Sequence, residues 1–297
     1  MSKIILFGAG ASSGSGEVSP YPPPLGKDLF DRLDALGKTA SKIPPELKDV
    51  FRRNFEDGMR DYVLHKDRNI MSFQRELAGY LAAFEPGEKN HYIELLKGIN
   101  SKRVIFASLN YDLLLEISAI KLGLNILYDK INTNNHIRIL KIHGSCNFWP
   151  NDRYLNIRDV SFEGVFKNEI VAPIKPLNQK ESIYKSENED STSPAMSMYA
   201  EGKEVRVSPN YVAYQQEMWF QSLKKCPTIF IIGVRVHQAD EHIWTMIAKS
   251  KAQVHYYGLP VDLEAFDSWK EKHNKKNATF HLANFAQAVP HILRIAN

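Results

Sequence analysis

The spacing of apolar and polar positions divides the chain into stretches of different period. "KIILF" (3 to 7) is a short apolar run that predicts a buried strand, and the glycine-rich turn "GAGASSGSG" follows it at once. The prolines of "SPYPPP" exclude regular structure up to Pro24, after which Leu25, Leu29, Leu33 and Leu36 recur at helical spacing. From 44 to 100 the period is helical, as in Leu47, Val50, Phe51 and Phe55 and again in Phe73, Leu77, Leu81 and Phe84, with "EPGEKN" as a break between helices. This predicts an all-helical insert over 44–100.

The pattern then changes to alternating short apolar runs and helical segments. "RVIFASL" (103 to 109) and "IRILKIH" (137 to 143) read as buried strands on either side of a helix that ends at Gly123. Residues 150 to 207 lack periodicity, and the polar stretch 178–205 predicts a flexible loop. Beyond it come a helix from Pro209, the strand "TIFIIGV" (228 to 234), the helix "DEHIWTMIAKS", the strand "AQVHYYGL", a helix from Val261, the strand "ATFHL" and a last helix. Such alternation predicts an α/β fold, a doubly wound and mainly parallel Rossmann-like sheet built from residues 1–43 and 101–297.

Composition narrows the class. The chain has 297 residues, 43% of them hydrophobic and 24% charged, which suits a globular protein with a sizeable core. No apolar stretch reaches the 18 or so residues needed to span a bilayer, and the amino terminus lacks the pattern of a signal peptide, so a cytoplasmic location is expected. Cys146 and Cys226 stand far apart and form no zinc-clamping pair. With 38 basic and 34 acidic residues the net charge of +4 does not call for a nucleic-acid partner, and "KEKHNKK" (270 to 276) reads as the solvated end of a helix.

Candidate chemistry clusters at the predicted strand ends, where ligands bind in open α/β sheets. Gly8, Ala9, Gly10 and Ser12 form a turn through which the backbone can approach a pyrophosphate, although Ser13 stands where a dinucleotide fingerprint would have its third glycine. Asn110 and Asp112 follow one strand and serve either as ligand contacts or as helix caps. His143 ends the next, followed by Gly144 and Ser145. In "FIIGVRVHQADEH" a strand ends at Gly233 and leads to a helix capped by Asp240; His237 and His242, five apart, do not share a helical face, so no metal site is expected.

Taken in order, "FGAGAS", "SLNYD", "KIHGS" followed by "NFW", and "IIGVRVHQAD" resemble the signature segments of the sirtuin-like superfamily, over residues 4 to about 258. The segments resemble those of its bacterial anti-phage branch; the four-cysteine zinc ribbon and the Gly-x-Pro-Asp-Phe-Arg loop of the deacetylases are missing, so a protein deacylase is not expected. It implies an NAD hydrolase that releases nicotinamide and ADP-ribose without a metal and depletes NAD in abortive infection. Asn110 and His143 map onto the family's catalytic asparagine and histidine, with Asp112 beside them. Gly8, Ala9, Gly10, Ser12, Asn110, Asp112, Gly144, Gly233, Arg235 and Asp240 fall on its cofactor-binding positions. Arg235 replaces the usual serine beside the adenosine ribose. Such effectors are held off until triggered, which implies a homo-oligomer or a complex with a separately encoded translocase ATPase or Argonaute-type partner. A non-hydrolytic NAD or ADP-ribose sensor, an ADP-ribosyltransferase and a structural subunit are the competing readings.

Overall fold

A computed structural model describes residues 2–65, 68–129, 136–162, 165–197, 206–237 and 240–297. The chain begins with β1 (Lys3–Phe7), the short helix α1 (Ala9–Ser13) and β2 (Gly16–Ser19). Next come α2 (Gly26–Ala35), α3 (Pro45–Arg53), α4 (Phe55–Leu64), α5 (Ile70–Ala82), β3 (Glu85–Asn90) and α6 (His91–Gly98). The sheet resumes with β4 (Val104–Ser108), α7 (Leu114–Lys121), β5 (Asn125–Leu127) and β6 (His136–Lys141). A stretch of small elements follows: β7 (Phe148–Pro150), β8 (Asn156–Phe162), β9 (Val165–Val171), β10 (Ile174–Pro176) and α8 (Gln179–Asn188). The last part alternates regularly through α9 (Pro209–Lys225), β11 (Thr228–Ile232), α10 (Glu241–Lys249), β12 (Gln253–Gly258), α11 (Leu263–Lys272), β13 (Ala278–Leu282) and α12 (Phe285–Ala296).

Seven strands form one parallel sheet in the order β13-β12-β11-β1-β4-β6-β5. The chain leaves β1 toward β4 and returns to its other side at β11, so the strand order reverses at β1, the place where open α/β sheets form a crevice. Side chains alternate across the sheet: Ile5, Phe7, Phe106 and Phe230 pack on one face with α6, α7 and α12, while Ile4, Leu6, Ile229 and Ile231 pack on the other with α9, α10 and α11. Both faces are covered, which is why these strands read as unbroken apolar runs. The expected doubly wound α/β sheet is therefore present.

The helical region has different limits from those predicted. Helix α2 packs against α3 and α4, whereas α6 packs against α7 and α12 on the sheet. The helical cluster thus runs from α2 to α5 rather than over 44–100. It also has no core of its own, since Phe30, Phe51 and Phe73 belong to the same apolar cluster as Ile5 and Phe106. Phe51 stacks on Phe30 with ring centroids 4.4 Å apart, and a Cβ on Gly58 would stand 2.4 Å from the Phe51 ring, so α3 and α4 cross in close contact.

Two other expectations are corrected. The "EPGEKN" break is β3, paired antiparallel with β2, where irregular structure had been expected before Pro24. Part of the 178–205 stretch is helix: Asn178 caps α8 in a reciprocal capping box with Glu181, and residues 192–197 are clamped in place. Arg75 donates to the Thr192 carbonyl at 2.7 Å, Ser193 donates to Gln74 at 2.9 Å, and Gln74 donates to the Met196 carbonyl at 3.1 Å. Polar composition hid this order because the side chains that clamp residues 192–197, Gln74 and Arg75, lie on α5, far away in the chain. Residues 198–205 lie outside the described residues.

Candidate active site

The switch point is built from two backbone turns in contact. Gly8 N donates to the Ile232 carbonyl and Gly10 N to the Gly233 carbonyl, both at 3.0 Å. A Cβ on Gly8 would stand 2.4 Å from the Gly233 oxygen; one on Gly233, whose φ is +64°, would stand 2.0 Å from Ala11 N. These glycines are required by the approach of the turns, which accounts for them without a ligand. Ala9 is exposed at the tip, and Ser12 is buried behind it.

Asn110 joins the tip of β4 to this turn. Its Nδ2 donates to the Gly8 carbonyl and to Ser12 Oγ, both at 2.9 Å, and Ser12 Oγ shares a 3.1 Å hydrogen bond with the Tyr92 hydroxyl. Burial, with Asp112 nearby, pushes the Tyr92 phenol well above its ordinary pKa, so it stays protonated. Asp112 performs the local role foreseen as the alternative: its Oδ1 accepts from Leu114 N at 3.0 Å at the start of α7.

Beneath Asp112 lies a buried charge pair that the periodicity did not reveal. Lys141 Nζ donates to the Asp112 carbonyl at 2.7 Å and stands 3.2 Å from Glu116 Oε1, with side chains only 1% and 4% exposed. Burial raises the Glu116 pKa and the Lys141 charge opposes the rise. The signal was a lysine inside an apolar strand, "IRILKIH"; a buried lysine needs a partner.

His143 rises from the neighbouring strand. Ser108 pairs with Lys141 in register, so Asn110 and His143 each stand two residues beyond the paired ends of β4 and β6. The two follow-on loops are bonded through Tyr111, whose carbonyl accepts from Cys146 N at 3.0 Å. His143 Nε2 lies 3.6 Å from Asp240 Oδ1, and the His242 ring flanks it with centroids 5.7 Å apart. One ligand atom from each of these three side chains lies within 4.8 Å of the others.

The strand tips therefore bring Asn110 to Gly8 and Ser12, and His143 to Asp240. Asp240, expected among the cofactor-binding positions, stands against the His143 imidazole. Gly144, with φ +81°, is needed because a Cβ there would meet the Ala195 carbonyl at 2.1 Å as residues 195–197 pass behind His143. The Ser197 N–H donates to the His143 carbonyl at 2.8 Å, and the Tyr111 hydroxyl donates to the Ser197 carbonyl. Arg235 is exposed and its carbonyl accepts from Trp244 Nε1 at 3.0 Å. The His237 carbonyl accepts from Asp240 N at 3.1 Å, while its side chain lies against Glu56, with Nδ1 3.5 Å from Glu56 Oε2. A cavity of about 850 Å³ lies elsewhere, between Trp149, Asp152 and the α8 residues Tyr184 and Lys185.

No family model matches the chain, and a search of curated proteins found no relative. Among the described residues no helix is long and apolar enough to cross a membrane.

Proposed function

We propose that the chain is an NAD glycohydrolase whose general base is His143. The observation that carries this reading is the Asp240 carboxylate 3.6 Å from His143 Nε2, on a strand tip adjacent to the one that carries Asn110. A carboxylate beside an imidazole orients it and stabilises the imidazolium that forms when it accepts a proton. The motif order supports NAD as the substrate, and the residues at the rim fit a ribose: an imidazole and a carboxamide at adjacent tips suit hydroxyls and a water, whereas the glycines there already have a structural reason.

In the reaction the N-glycosidic bond breaks and its electron pair leaves with neutral nicotinamide. Water attacks the anomeric carbon, and its proton passes to His143. Asn110, with its nitrogen committed to Gly8 and Ser12, offers Oδ1 to the ribose or the water. Asp112 is a positioning residue, since its carboxylate holds the start of α7.

His143, Asn110 and Asp112 are only 5%, 7% and 6% exposed, so a dinucleotide reaches them after the rim opens. A closed rim suits an effector that a partner protein or self-assembly must switch on, the control expected of a defence enzyme that depletes NAD. The test is chromatography of NAD incubated with the chain alone, at high concentration and with its genomic neighbours, for wild type, His143→Ala and Asn110→Ala. Nicotinamide release from the assembled wild type that either variant retains in large part sinks the assignment; NAD binding without release favours a sensor.

A further inference from the structure

We propose that His143, Asp240 and His242 form a binding site for one divalent transition-metal ion of the zinc class. The three side chains come from two elements: His143 from the tip of β6, and Asp240 and His242 from the entry and first turn of α10. Sequence spacing argued against a metal because His237 and His242 share no helical face. The fold substitutes a histidine from another strand, and His237 lies against Glu56 instead.

The distances suit one ion. Two ligands about 2.0–2.1 Å from a tetrahedral zinc stand roughly 3.4 Å apart, and His143 Nε2 and Asp240 Oδ1 are 3.6 Å apart. The third ligand atom lies within 4.8 Å of both, so closing the set requires a small rotation of the exposed His242 side chain. Two imidazoles with one carboxylate favour zinc-class ions over magnesium or calcium, which prefer oxygen ligands. Burial falls from His143 through Asp240 to His242, so the cluster meets solvent on its His242 side.

An ion bound at Nε2 holds the ring's one proton on Nδ1, so the His143 imidazole has no nitrogen left to accept a proton from water. Metal occupancy would therefore silence hydrolysis, a consequence that rests on the proposed function; ion binding itself does not.

The experiment is calorimetric titration of the chelator-treated chain with Zn²⁺ alone, together with the visible spectrum of the Co²⁺ form, for wild type, His242→Ala, Asp240→Asn and His281→Ala. Wild type and His281→Ala should bind one ion, and the two ligand variants should bind it at least ~10-fold more weakly while melting normally without metal. Absence of binding in wild type, affinity unchanged in both ligand variants, or loss in His281→Ala overturns the site. In the active assembly, Zn²⁺ should suppress nicotinamide release from wild type far more than from His242→Ala. Equal suppression, or none while the ion is bound, overturns the silencing but not the site.

Discussion

The carboxylate of Asp240 lies 3.6 Å from Nε2 of His143, although one residue opens the helix α10 and the other stands two residues past the end of β6, about a hundred positions earlier. The contact gives the imidazole a charged neighbour, and Asp240→Asn keeps the shape while removing the charge. We expect nicotinamide release by the assembled protein to fall by about 10²-fold with an unchanged melting temperature. Full activity in Asp240→Asn would show that the pair has no part in catalysis.

Lys141 and Glu116 face each other out of water, with the ammonium also holding the Asp112 carbonyl. Removing one charge strands the other, so Lys141→Met should lower stability by about 3–5 kcal/mol. The double variant Lys141→Met/Glu116→Leu should regain part of that loss. Urea unfolding of the three proteins checks both expectations.

Gly233 and Gly37 both adopt positive φ, +64° and +68°, but only Gly233 faces backbone at the position of a Cβ. Gly37→Ala meets open space and should cost only the left-handed penalty of about 1–2 kcal/mol. Gly233→Ala must push the glycine turns apart and should cost more than about 4 kcal/mol, or leave no soluble protein. Similar melting temperatures for the two variants would contradict the close approach of the turns.

On β12 the His255 imidazole is buried beside His281 and His291, and burial first, then these neighbours, pushes its pKa down to about 4. Below an ordinary histidine pKa of about 6.5 the unfolded chain takes up a proton that folded His255 refuses. Its contribution is thus fully present above pH ~6.5 and is lost as the pH falls toward about 4. His255→Phe, which can keep the stack on Phe230, should flatten the fall in urea midpoint over this window. An unchanged pH profile would show that His255 does not drive it.

The strands were legible because they are buried on both faces: runs such as Ile229–Ile232 need no knowledge of their neighbours to be recognised. Helix α8 was not, since its capping box lies in a polar stretch and the segment after it is held by Gln74 and Arg75 of a distant helix. The glycine turn was legible as a turn, but the need for glycine there comes from a second turn more than two hundred residues later in the sequence.

From the sequence by itself came the alternation of strands and helices, and with it the placing of Asn110 and His143 at strand ends, because periodicity records burial along one element. Strand order decided the rest. Only with β1 between β11 and β4 can Gly233 close on Gly8, and only the folded sheet brings α10 over the tip of β6 so that Asp240 and His242 meet His143. Such contacts depend on which strands become neighbours, and no local period carries that information.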